Sequence, residues 1–85
     1  MSNVTIDKLT DDIRNLVAEV LETEPEKINP EAKFVEDLGM DSMMALEIMA
    51  AIEKKYRIAI PEDTLPKFTT LAQTVSLIAD VIKKR

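Results

Sequence analysis

Apolar residues recur from Thr5 to about Glu22 at Ile6, Leu9, Ile13, Leu16, Val17 and Val20, which makes one stripe of an amphipathic helix. Thr5 offers a capping hydroxyl, and Asp7 places negative charge in the first turn, where the helix dipole favours it. Pro25 and Pro30 break the pattern, and a long connection runs to Asp41. Loops of that length are pinned or functional, and Ile28, Phe34, Val35 and Leu38 are the expected pins. Gly39, the only glycine, stands where the backbone must turn sharply into a second helix from about Ser42 to Tyr56, capped by Asp41 or Ser42. Ile58-Ala59-Ile60-Pro61 reads as an extended connector, and Glu62 to about Leu65 as one brief turn, because Pro66 biases Leu65 away from helical angles. Thr70-x-x-Gln73 is a capping box that opens a last helix with Leu71, Val75, Ile78 and Ile82 on one face. Lys83, Lys84 and Arg85 close it and suit the negative end of its dipole. The predicted fold is therefore all-α: a small four-helix bundle with three main helices, one short one, and a long loop between the first two, residues 1–85 forming one domain.

The second helix is apolar on too many sides. Ala45, Ile48, Ala51 or Ile52, and Tyr56 are enough to pack it on its neighbours, yet Met43, Leu46 and Ala50 form a second set on another face. Methionine often fills core gaps, which is the reading for Met44 and Met49. Met43 and Leu46, beside the helix start, read instead as a partner-docking pair, since a flexible apolar side chain accepts several partners in turn.

Composition narrows the chemistry. A hydrophobic fraction of 46 % argues against disorder, and 85 residues leave room for one modest core. With no cysteine and no histidine, a disulfide framework, a thiolate metal site and the commonest general base are all excluded, and no metal site is expected. The polar N-terminus does not read as a signal peptide, and the longest uncharged apolar run, Ile48 to Ile52, is far too short for a membrane span. A soluble cytoplasmic protein, monomeric and not bound to membrane, is the expectation. The net charge of −5 is uneven: residues 1–41 carry −7 and residues 42–85 carry +2. Such a front half repels nucleic acid and attracts a basic protein surface.

Ser42 lacks the base a catalytic serine needs, and no Ser-x-x-Lys spacing starts there, so autonomous catalysis is not expected. Asp37, Gly39 and Asp41 alternate as in a calcium loop, but position six would be Ser42 rather than glycine and position twelve Ile48 rather than glutamate, which rules that reading out. What remains is a hydroxyl at a helix N-terminus, where free N–H groups and the positive dipole end suit a phosphate ester. Taken alone, Ser42 reads better as a plain N-cap than as a modified residue.

The segment Phe34-Val35-Glu36-Asp37-Leu38-Gly39-Met40-Asp41-Ser42 resembles the attachment segment of the acyl carrier proteins. The resemblance continues through Glu47, Glu53, Tyr56, Ile60-Pro61-Glu62 and Thr69-Thr70, and covers almost the whole chain. It implies a carrier rather than an enzyme. A separate holo-synthase (a phosphopantetheinyl transferase using magnesium) moves 4′-phosphopantetheine from coenzyme A to Ser42. The arm's thiol then presents acyl groups as thioesters to synthases, transferases and modifying enzymes of fatty acid, polyketide or specialised lipid pathways. By the same resemblance Gly39 and Asp41 belong to the attachment site, with Asp41 positioning the modifying enzyme. Met43, Leu46, Glu47 and Glu53 form the docking face, and Ile48, Ile52, Ile60, Leu65 and Phe68 line an acyl pocket. A chain without cysteine must import its thiol, which agrees with this reading.

The sequence departs from the family at Met43, where leucine is usual, at Met44, where an acid is common in fatty-acid-type carriers, and at Lys54 and Lys55, which replace further acids. Charge at a docking face sets encounter rate and partner choice, so these departures point towards a specialised pathway (polyketide, lipid-tailoring or aminoacyl) rather than the general fatty acid synthase. The competing reading is a non-covalent helical scaffold module with a degenerate carrier fold, indifferent to Ser42.

Overall fold

The computed structural model describes residues 5–84. Four α-helices run in the order α1 (Ile6–Leu21), α2 (Phe34–Leu38), α3 (Ser42–Tyr56) and α4 (Leu71–Lys84), with 3-10 turns at Pro25–Lys27 and Glu62–Lys67. There is no strand among the described residues. The three long helices pack through α1, which contacts both α3 and α4.

Each long helix starts where its cap dictates. The Thr5 hydroxyl accepts the Lys8 N–H at 3.1 Å, Asp41 Oδ1 accepts the Met44 N–H at 2.9 Å, and Thr70 Oγ1 accepts the Gln73 N–H at 3.1 Å. Side-chain caps satisfy donors that have no partner in the first turn. Asp41 is thus the cap of α3, and Ser42 is its first helical residue.

The core is the sum of the apolar stripes. Leu9, Ile13, Val17 and Ala18 of α1, Ala45, Ile48, Met49 and Ile52 of α3, and Leu71, Val75 and Ile78 of α4 are buried together with Ile28, Phe34, Met40, Ile60 and Phe68. Thr74 is the one polar residue among the buried ones described, and its hydroxyl donates to the Thr70 carbonyl at 2.8 Å, so its burial leaves no donor unpaired. Ile6 falls outside the core despite its place in the stripe: one turn ahead of Leu9, it is 57 % exposed.

The connection between α1 and α3 is more ordered than its sequence suggests. Ile28 and Phe34 are buried and Leu38 is half-buried, as pins should be, but Val35 is 64 % exposed and Met40 takes the buried place instead. The cause is α2, a five-residue helix that turns Phe34 inward and Val35 outward. Its start is held by Asp37 Oδ2, which accepts the Lys33 N–H at 2.8 Å, and its end by Gly39 in the left-handed region at φ 73°. The Phe34 N–H donates to the Thr69 carbonyl at 2.8 Å and the Ala72 N–H to the Pro30 carbonyl at 3.0 Å, so the connection is laced to the beginning of α4.

The turn expected at Glu62–Leu65 continues to Lys67. It does so as a 3-10 run whose bonds, Thr64 N–H to the Pro61 carbonyl and Phe68 N–H to the Leu65 carbonyl, never require a donor from Pro66.

Candidate functional site

The head of α3 is built by a tight sequence of backbone commitments. Gly39 adopts positive φ, and both its N–H and that of Met40 donate to the Phe34 carbonyl, which closes α2 and reverses the chain. No atom lies within 4 Å of where a Cβ on Gly39 would stand, so it is backbone conformation rather than crowding that calls for glycine. Met40 then buries its side chain and Asp41 caps α3. Ser42 follows and is exposed. As the first helical residue, its N–H and that of Met43 have no acceptor in the preceding turn of the helix, and the positive end of the helix dipole lies beside the hydroxyl.

A cleft of about 750 Å³ opens next to Ser42. Its floor is apolar, from Met40, Ala45, Leu65 and Phe68, and Val35 and Asp41 stand on its rim with Ser42. An exposed hydroxyl, a helix start that favours a phosphate, and an apolar trough alongside together fit a phosphopantetheine arm. Ser42 would hold its phosphate by a covalent bond. The cleft would shelter the arm or its cargo, and the group would supply a thiol that the chain does not possess.

The residues singled out in the sequence fall into distinct places. Gly39, Asp41 and Ser42 are adjacent at the head of α3, all exposed. Met43 is 78 % exposed and Leu46 49 % exposed, while Glu47 and Ala50 are also exposed, so they share an open face of α3. Glu53 is half-buried, and its Oε2 accepts the Ile60 N–H at 2.7 Å, which ties the end of α3 to the extended connector. Leu65 and Phe68 line the cleft. Ile48, Ile52 and Ile60 are buried in the core and do not line it. The cleft uses instead Val35, Met40, Ala45 and Pro66, which were not singled out for it. Val35 and Met40 sit within the attachment segment itself, flanking the glycine turn, and that proximity was the available signal. Among the described residues no group of three or more acidic side chains could hold a metal ion.

A sequence model described as the phosphopantetheine attachment site matches residues 11–78, which is most of the chain. The chain belongs to that family. Carriers of this kind are not enzymes; they are substrates of a phosphopantetheinyl transferase. Among relatives, an acyl carrier protein of Wolinella succinogenes is 43 % identical over 68 residues, covering 80 % of this chain and 90 % of its own. Among solved structures, a free-standing peptidyl carrier protein from an uncharacterised secondary metabolic pathway of Acinetobacter baumannii superposes with a TM-score of 0.79 at 27 % identity, covering 88 % of this chain and 92 % of that one. The HMG-ACPI domain of the CurA module from Lyngbya majuscula gives a TM-score of 0.81 at 25 % identity over 99 % of this chain and 87 % of that one. The carrier therefore has the helical-bundle fold of acyl and peptidyl carriers alike. None of its described helices is long and apolar enough to cross a membrane.

Proposed function

We propose that Ser42 is the residue that carries the 4′-phosphopantetheine arm, and that residues 1–85 act as one monomeric carrier domain in the cytoplasm. One observation carries the assignment: the Ser42 hydroxyl is exposed as the first residue of α3, directly behind the Gly39 turn and the Asp41 cap. A transferase must reach this oxygen, and the half-cleft beside it gives the arm an apolar bed. Asp41 is the charged neighbour that helps the transferase align, and Met43, Leu46 and Glu47 form the face on which client enzymes dock. Leu65 and Phe68, with Met40 and Ala45, shelter the cargo.

For the pathway, the cationic Lys54 and Lys55 and the methionines after Ser42 favour a specialised synthase (polyketide, lipid-tailoring or aminoacyl) over the general fatty acid system. The acyl group found on protein isolated from its native host identifies that cargo.

The attachment itself is tested by incubating the chain with coenzyme A, magnesium and a broad-specificity phosphopantetheinyl transferase and measuring the intact mass. One added arm on the wild type and none on Ser42→Ala is the expected result. An unchanged mass in the wild type, or an arm that survives the substitution, overturns the assignment.

A further inference from the structure

Glu53 stands in the last turn of α3, where the negative end of the helix dipole disfavours a carboxylate. It is half-buried, and backbone donors of the chain that follows converge on it. Arg57, in the left-handed region at φ 56°, and Ile58 both donate their N–H to the Glu53 carbonyl, and the Ile60 N–H donates to Glu53 Oε2 at 2.7 Å. Ile60 is buried, and Pro61 after it has no N–H to give. Beyond this anchor runs a strap, residues 61–68, which supplies Leu65, Pro66 and Phe68 to the cleft beside Ser42. Among the described residues the strap's hydrogen bonds are all local: the Thr64 N–H and hydroxyl donate to the Pro61 carbonyl, the Phe68 N–H to the Leu65 carbonyl, and the Thr69 N–H to the Lys67 carbonyl. The next bond to another element joins the Phe34 N–H to the Thr69 carbonyl at 2.8 Å. The strap is therefore bonded to the bundle only at its ends, and between them it is held by the burial of Phe68 and the half-burial of Leu65.

We propose that Glu53 is a latch: by holding the Ile60 N–H, its carboxylate keeps the strap against the cleft and so sets how long a thioester carried on the Ser42 arm survives water. This rests on Ser42 being the attachment residue. Hydrolysis adds water to the thioester carbonyl and breaks the C–S bond, which releases the acid and returns a proton to the arm's thiol. A segment fastened by few bonds opens locally far more often than the core does, and each opening of the strap admits water to the cleft. Removing one of its end bonds makes the open state roughly fivefold more populated. Glu53 is thus a positioning residue, acting on the cargo through the connector and through Leu65, Pro66 and Phe68. A carboxylate engaged with the Ile60 N–H is also not offered to a docking enzyme, which separates Glu53 from the exposed Glu47.

The test loads Ser42 from butyryl-coenzyme A with a broad-specificity phosphopantetheinyl transferase and follows loss of the butyryl group by intact mass. Butyryl-coenzyme A in the same buffer is the unsheltered reference. Glu53→Asp keeps the charge but shortens the reach, whereas Glu53→Gln keeps the reach and an accepting oxygen without the charge. Tyr56→Phe removes a hydrogen bond at the same end of α3, on the side facing α1, and controls for stability alone. Circular dichroism checks that each variant is folded. The wild type is expected to lose butyryl several-fold more slowly than butyryl-coenzyme A, and Glu53→Asp roughly fivefold faster than the wild type, with Glu53→Gln and Tyr56→Phe within about twofold of it. The latch is overturned, with the attachment intact, by a wild type as labile as butyryl-coenzyme A, by Glu53→Asp at the wild-type rate, or by equal acceleration in Glu53→Gln or Tyr56→Phe. Absence of an arm on every protein overturns the Ser42 reading itself, and this inference with it.

Discussion

Asp41 has two roles that substitution separates. Its Oδ1 caps α3 through the Met44 N–H, and its charge stands beside Ser42. Asn keeps a capping oxygen, whereas Ala does not. Asp41→Ala is therefore expected to cost about 1 kcal/mol of stability, and Asp41→Asn a few tenths at most. Loading of Ser42 is expected to slow several-fold, roughly 3- to 10-fold, in both variants, because both lose the charge. Thermal melts together with loading rates check this; an Asp41→Asn variant loaded at the wild-type rate would show that the charge is not used. At Gly39 the cost is purely conformational. Ala meets nothing within 4 Å there but must adopt φ 73°, and about 1 kcal/mol of destabilisation is expected in chemical denaturation.

Across whole elements, α3 has an inner and an outer face that respond differently. Ile48→Ala removes a fully buried side chain and is expected to cost about 2–5 kcal/mol. Leu46→Glu, on the open face, is expected to leave stability within about 0.5 kcal/mol while lowering kcat/KM with client enzymes. A large loss of thermal stability in Leu46→Glu would place that side chain in the core. The far end of α3 is tied to α1 by the Tyr56 hydroxyl, which donates to Asp12 Oδ2 at 2.6 Å. Burial, the hydrogen bond to Asp12 and that carboxylate's charge together push the Tyr56 phenol well above its ordinary value. The unfolded chain then loses the phenolic proton first, near pH 10, so the bond's contribution is full below that pH and declines as pH rises past it. Tyr56→Phe is expected to lose about 1 kcal/mol at neutral pH and to show a shallower decline between pH 9 and about 11 than the wild type in denaturant titrations.

These elements also mark how much the sequence discloses. The three long helices were legible because period and cap agreed at Thr5, Asp41 and Thr70. The second face of α3 was legible because Met43, Leu46 and Ala50 exceeded what packing needed, and all three are exposed. The short α2 was not, since five residues give no periodic signal and its stop is a single glycine. Val35 was read as a pin for that reason: without the helix, nothing distinguished it from Phe34. The cleft was legible only at Leu65 and Phe68, because a trough made where three separate segments meet depends on tertiary placement, and Ile48, Ile52 and Ile60 are spent on the core.

For the whole molecule, the net charge of −5 is spread unevenly along the sequence, −7 over residues 1–41 and +2 over residues 42–85, and its anionic excess attracts a basic surface. Steering by such a field fades with ionic strength, so loading by a basic-faced transferase should slow as salt rises through the physiological range, where the Debye length is about 8 Å. Everything in this picture turns on one oxygen. The chain has three serines, Ser2, Ser42 and Ser76, and trypsin places them in separate peptides, residues 1–8, 34–54 and 68–83. Peptide mass mapping after loading from coenzyme A asks directly which of them is esterified. A carrier anchored at the head of α3 gives the arm on peptide 34–54 alone; an arm on either of the other two, or on none, contradicts it.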